Sequence, residues 1–311
     1  MALMRNALLW ASTNPWLAHN FPRYRFAQAA VRRFMPGTTV DAALDAAASL
    51  EPRGIGGIFT RLGENLTDMK SAEAVVEHYL DAFDRIAERG LSAQVSIKLT
   101  QLGLDISEDG ATRNLITLAD RAAQHGNVLW VDIEDSSYVD RTLAAFRALL
   151  AQHRNVGLCL QSYLRRTAAD LEALLEHTAA IRLVKGAYLE PPEIAFPDKR
   201  DVDENYYRLA CRMVEAAARF TDSPSPVMGT HDVKLIDRIA NHADGRGIPR
   251  DAWQVHMLYG IRTAEQLRLA EAGRPVRVLI SYGEEWFPWY VRRLAERPAN
   301  VWFVVKSMVS N

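Results

Sequence analysis

Arg292 and Arg293, side by side among aromatic residues in the stretch EEWFPWYVRRLAERPAN (284–300), suggest the most specific chemistry in the chain. Two planar guanidinium forks can hold a carboxylate through several charge-assisted hydrogen bonds, and tryptophan walls that exclude water strengthen those bonds. Wound as a helix at about 100° per residue, the stretch puts Phe287, Tyr290, Val291 and Leu294 on one side, with Trp286, Trp289, Arg292 and Arg293 opposite. Arginines snorkelling along a surface helix are the plainer alternative. Tryptophans on the guanidinium side instead predict a helix covered on both faces, lying over a small carboxylate ligand.

Other ionisable residues recur at one kind of place, the ends of short apolar runs. Glu64, Lys98, Asp132 with Glu134, Gln161, Arg182 with Lys185, Thr230 with His231, and Tyr282 all stand there. The runs begin near residues 56, 93, 127, 155, 180, 225, 252 and 276, and they alternate with helical stretches such as SAEAVVEHYLDAFDRIAERG and TAADLEALLEHTAA. Ser71, Thr167 or a nearby Asp is expected to cap these helices. Eight strand–helix repeats predict an α/β fold, a (β/α)8 TIM-type barrel over residues 51–311, with a doubly wound open sheet as the alternative. The alanine-rich residues 1–50 read as an N-terminal helical layer. In a parallel barrel the C-terminal strand ends share one mouth, so polar residues at seven of them predict a polar binding pocket.

Composition narrows the function without naming it. Of 311 residues, 37 are Lys or Arg and 38 Asp or Glu, which leaves no overall field for nucleic acid. Cys159 and Cys211, the only cysteines, lie in separate apolar segments and read as buried thiols in a reducing compartment. No stretch resembles a secretory signal or a span of about 20 apolar residues. A cytoplasmic location is expected, with the apolar NVWFVVKSMV at 300–309 either packed on the body or touching the inner face of a membrane.

The motifs VSIKLTQLGLDI, VDIEDS, CLQSYLRRTAADLE, IRLVKGAYLEP, GTHD, HMLYGIR and YGEEWFPWYVRRLAERPAN, in order from Gly56 to Asn300, together resemble the proline dehydrogenases, in particular the short monofunctional bacterial type. The resemblance implies a distorted (β/α)8 barrel that binds FAD non-covalently and oxidises L-proline to Δ1-pyrroline-5-carboxylate. It also implies a membrane quinone as electron acceptor, and a homo-oligomer is a possible state. GIGGIF does not have the GxGxxG spacing, so a dinucleotide-binding Rossmann unit is not expected.

By matching position, Arg292 and Arg293 resemble the family's carboxylate clamp, and Glu64 the acid that closes over the site by pairing with it. Lys98 resembles the lysine beside the substrate, paired with an aspartate that here is Asp132. Arg182 resembles the arginine at flavin N5. Ile133, Gln161, Lys185, Gly186, Ala187, Thr230 and His231 match flavin-contacting positions, and Leu258 and Tyr259 the ring-side wall. Leu279 stands where the family usually has a tyrosine against the proline ring, and Trp289 where an aromatic, often tyrosine, precedes the arginine pair by three. A bulkier, less polar wall and a smaller pocket follow from these two. Two rival readings remain: a barrel with Lys98 or Lys185 as a Schiff-base nucleophile, and a barrel that binds a carboxylate without turnover. Asp132 and Glu134 could pair on a metal, but no histidine motif supports it.

Overall fold

The structure, a computed structural model, describes residues 14, 31–63, 66–220, 222–287 and 289–291. Eight parallel strands close on themselves in sequence order. They are β1 (Ile55–Arg61), β2 (Ala93–Lys98), β3 (Leu129–Asp132), β4 (Val156–Gln161), β5 (Ile181–Val184), β6 (Val227–Gly229), β7 (Gln254–Leu258) and β8 (Val276–Tyr282). Closure pairs β1 with β8 over seven register positions, from Ile55 opposite Val276 to Arg61 opposite Tyr282, and so leaves no edge strand. The eight apolar runs thus became the eight strands, and the closed barrel displaces the open-sheet alternative.

Helix α1 (Val40–Leu50) precedes the barrel, and α2 (Met69–Glu88), α3 (Glu108–Gln124), α4 (Val139–Leu150), α5 (Thr167–Leu174), α6 (Lys199–Ala216), α7 (Val233–Asp244) and α8 (Thr263–Glu271) connect successive strands. Each helix turns an apolar stripe to the strands. Tyr79, Ala82 and Phe83 of α2, Leu115, Leu118 and Ala119 of α3, and Tyr206, Ala210 and Met213 of α6 are all fully buried. Strands with both faces covered carry the continuous Val, Ile and Leu runs visible in the sequence. The alanine-rich α1 contacts β1 and β8 and covers their seam from outside. Its small Ala43, Ala46 and Ala47 faces let the helix lie close to the sheet, where Gly57 has no side chain to hold it off.

Of the expected caps, the nearby Asp forms at α2, and Ser71 and Thr167 do not cap. Asp68, not Ser71, caps α2: its carboxylate accepts the Ser71 backbone N–H at 2.9 Å and the Ser71 hydroxyl at 2.9 Å. Thr167 is the first residue of α5 rather than its cap, and its hydroxyl donates back to the Gln161 carbonyl at 2.6 Å, tying the helix start to the end of β4.

Candidate active site

Register fixes which side chains face the barrel axis. Parallel neighbours paired in register point to the same face, so Ser96 and Trp130, Lys98 and Asp132, Cys159 and Arg182, and Leu258 and Leu279 are each turned the same way. Contacts across the interior show that this face is the inner one. The Arg182 Nη2 of β5 donates to the Ser96 hydroxyl of β2 at 2.7 Å and makes a short ion pair with Asp132 of β3. Ser96 in turn donates to Asp132 at 3.0 Å. Asp132, Ser96 and Arg182 therefore form one triangle at the upper end of the barrel. The partner expected for Asp132 was Lys98. The carboxylate is instead bonded by Arg182 and Ser96, while Lys98 occupies the adjacent register position.

Electrostatics keep this triangle charged. Burial by itself disfavours the Arg182 guanidinium, but the Asp132 carboxylate outweighs it and holds the group above its ordinary value. Burial pushes the neighbouring Cys159 thiol up to about 12, so it stays neutral at physiological pH. Burial, and then the cations Arg182 and Arg277, hold His256 well below its ordinary value, so this interior imidazole is neutral too. Arg182 and Asp132 thus face each other as an ion pair, with the neutral Cys159 and His256 nearby.

Among the buried polar atoms with no hydrogen-bond partner among the described residues are Arg182 Nη1 and Gln161 Oε1 and, beside Trp130, both ring nitrogens of His256. The Gln161 amide is anchored at its other end, donating from Nε2 to the carbonyls of Ile133 at 3.4 Å and Glu134 at 3.1 Å. That bond fixes which atom of the amide is left over. Buried donors and acceptors in native proteins are nearly always paired, so Arg182 Nη1 and Gln161 Oε1 leave a donor and an acceptor that a polar ligand can meet.

The remaining sequence-derived positions gather around the same mouth. Just after β5, Gly186 has φ +104°, and a Cβ there would lie 2.1 Å from the Tyr163 ring, so only glycine fits. Ala187 follows it, half-buried. Lys185 is held by Asp203 of α6 at 2.5 Å and Asp232, the cap of α7, at 2.8 Å. Burial would raise the Asp232 carboxyl, but its bond to Lys185 and the charge of that lysine bring it below the usual range. Thr230 accepts the Asp232 backbone N–H at 3.1 Å, and His231 Nε2 accepts that of Leu258 at 3.4 Å, linking the loops after β6 and β7. Leu258 and Leu279, level with each other on β7 and β8, are only half-buried.

Arg292, Arg293 and Glu64 lie outside the described residues. The residues leading to the arginine pair are helical; Trp286, Phe287, Tyr290 and Val291 are buried, and Trp289 is half-exposed. Trp286 was expected on the arginine side, yet it packs edge-on against Tyr290 at 5.9 Å and so belongs to the buried side. Tyr282 was read as a mouth residue. It faces outward instead, bonded to His78 of α2 at 2.9 Å. Ser96 and Trp130 were missed, although each sits two residues before a strand-end residue singled out above, the spacing that places side chains on one face of a strand.

The profile of the family described as Proline dehydrogenase matches residues 43–306. This chain belongs to that family. It is 34% identical over 307 residues to proline dehydrogenase 1 of Bacillus subtilis subsp. natto, covering 99% of both chains. It is 36% identical over 282 residues to the proline dehydrogenase of Deinococcus radiodurans, covering 89% of each. Among solved structures, proline utilization A from Bdellovibrio bacteriovorus, inactivated by N-propargylglycine, superimposes with a TM-score of 0.79 at 22% identity. That match covers 87% of this chain and 33% of the larger one, and it supports the barrel fold. As a proline dehydrogenase, the chain is an oxidoreductase of proline catabolism, which leaves both rival readings behind.

Proposed function

We propose that the enzyme holds FAD non-covalently over the barrel mouth, oxidises L-proline to Δ1-pyrroline-5-carboxylate, and passes the electrons to a membrane quinone. The observation that carries this reading is the pair of unsatisfied buried atoms, Arg182 Nη1 and Gln161 Oε1, beside the side-chain-free surface at Gly186. A flavin ring edge, which alternates acceptors with an N–H donor, suits such a pair. The residues present therefore fit the cofactor. FAD supplies a hydride acceptor at N5, and proline gives up a hydride from C5 and its N–H proton to form the C5=N bond.

The chain's own residues bind and orient. Arg182, gripped by Asp132 and Ser96, would donate through Nη1 to the flavin near N5 and favour negative charge there. Gln161, Ile133, Lys185, Gly186, Ala187, Thr230 and His231 would line the cofactor. Lys185 is fixed by two carboxylates, so its chief part is to join the loops after β5 and β6 under the cofactor. Lys98, with Arg292 and Arg293, would meet the proline carboxylate, and Leu258, Leu279 and Trp289 would form the ring-side wall, with Glu64 closing over the clamp. A carboxylate fixed at one end and apolar walls at the other would lay C5 against the flavin, an orientation effect. Because Arg182 already opposes Asp132, that aspartate offsets less of the clamp's cationic field, which favours the neutral amine needed for oxidation.

The test is the visible spectrum of the purified protein before and after anaerobic L-proline, followed by addition of a soluble quinone. Bleaching by proline and recovery with quinone are expected. A colourless protein that borohydride links to a carbonyl substrate would overturn the flavin reading.

A further inference from the structure

Level with Ser96 in the strand register, two residues before Asp132, lies the fully buried Trp130. Its indole is fixed on three sides. Nε1 donates to Gln94 Oε1 at 2.8 Å, the His256 ring meets it edge-on at 5.6 Å, and its six-membered ring lies against Gly157 of β4. A Cβ at Gly157 would come within 2.4 Å of that ring, so the glycine is what admits the indole. Above the ring sits the Arg182 guanidinium, its central carbon 5.1 Å from the ring centroid.

The guanidinium is thereby constrained in two independent ways. Asp132 and Ser96 take Nη2, while the indole ring supplies an electron-rich surface 5.1 Å from the central carbon of the cation. The Nη2 bonds alone leave the rest of the guanidinium free to swing about the Nη2–Asp132 direction, which would carry Nη1 out of line with the mouth. The indole beside it, itself held by Gln94, His256 and Gly157, opposes that swing. We infer that Trp130 is a positioning residue that keeps Arg182 Nη1 aimed toward the bound flavin, with Gly157 and Gln94 holding the indole for this purpose. The inference rests on the flavin reading above. Trp130 touches neither substrate nor cofactor in this account and acts through Arg182.

The test compares flavin-loaded Trp130→Phe, which keeps an aromatic face, with Trp130→Met, which fills similar space without one. The reduction potential of the bound flavin is read by dye equilibration, and kcat and KM for L-proline are read separately. Trp130→Met should lower the potential and reduce kcat roughly tenfold with KM little changed, while Trp130→Phe restores most of both. Gly157→Ala, on a different strand, should reproduce the Trp130→Met pattern by lifting the indole. Flavin potentials unchanged in both Trp130→Met and Gly157→Ala, with only the melting temperature lowered, would overturn the inference and leave the flavin reading intact. Equal loss of flavin from Trp130→Phe and Trp130→Met would assign the tryptophan to packing and overturn it as well. A wild-type protein without flavin would remove the reading and the inference together.

Discussion

Across the barrel interior, strands β2 to β5 present Ser96, Asp132, Gln161 and Arg182, bonded to one another or to backbone, whereas β7, β8 and β1 present Leu258, Leu279 and Ile58 at one register level. The polar wall is rigid because each member has its geometry set by a second: Asp132 by Ser96, Gln161 by the carbonyls after β3, Arg182 by Asp132 and Trp130. The apolar wall has no such bonds and offers shape alone. A flavin and a proline lying between them would take electrostatics from one side and fit from the other. Loss on the polar wall should therefore act on the rate, and change on the apolar wall on selectivity.

The largest effect is expected from Arg182→Met, which removes the cation proposed to donate to the flavin near N5. Loss of a preorganised donor of this kind costs on the order of a hundredfold to a thousandfold in kcat, measured in steady state with a soluble quinone. Asp132→Asn should come next and act on stability, because it strands a guanidinium that is 3% exposed. Breaking such a buried pair costs about 3 kcal/mol, read from the denaturant midpoint. On the opposite wall, Leu279→Tyr should leave kcat for proline within a few-fold and raise the preference for proline over 4-hydroxyproline about tenfold, checked by the ratio of their kcat/KM values. An equal change for both substrates would remove Leu279 from the ring-side wall.

The smallest effect belongs to the outer face of β8, where Tyr282 meets His78. Burial, with Arg61 nearby, lowers the His78 ring from 6.5 to about 4. The unfolded chain therefore takes up a proton near pH 6.5 that the folded one refuses until about pH 4. The contribution of His78 to stability is full above pH 6.5 and falls away as the pH drops toward 4. His78→Gln should flatten melting temperature against pH across that window, with kcat unchanged at neutral pH.

Much of this was legible in the sequence, for identifiable reasons. Barrel strands are buried on both faces, so their apolar runs stand out, and strand ends that open on one mouth carry polar residues whose identities announce the site. Parity was harder to read. Tyr282 and Gln161 both end strands, yet one points outward and the other inward, and only register with the neighbouring strand separates them. The triangle was hidden for another reason: Ser96, Asp132 and Arg182 meet across the interior, skipping β4, and such contacts exist only once the sheet closes. Likewise Lys185 finds Asp203 and Asp232, far off in sequence, through the starts of two helices. Arg292, Arg293 and Glu64, read from their motifs as a clamp and its closing acid, lie outside the described residues.

The most direct measurement is the single-turnover reduction of bound flavin by L-proline under anaerobic rapid mixing, which separates a limiting rate from an apparent dissociation constant. The division of labour between the walls predicts that Arg182→Met lowers the limiting rate with little change in the dissociation constant, and that Leu279→Ala weakens binding with little change in the rate. The reverse pattern, a slower rate from Leu279→Ala and weaker binding from Arg182→Met, would contradict it.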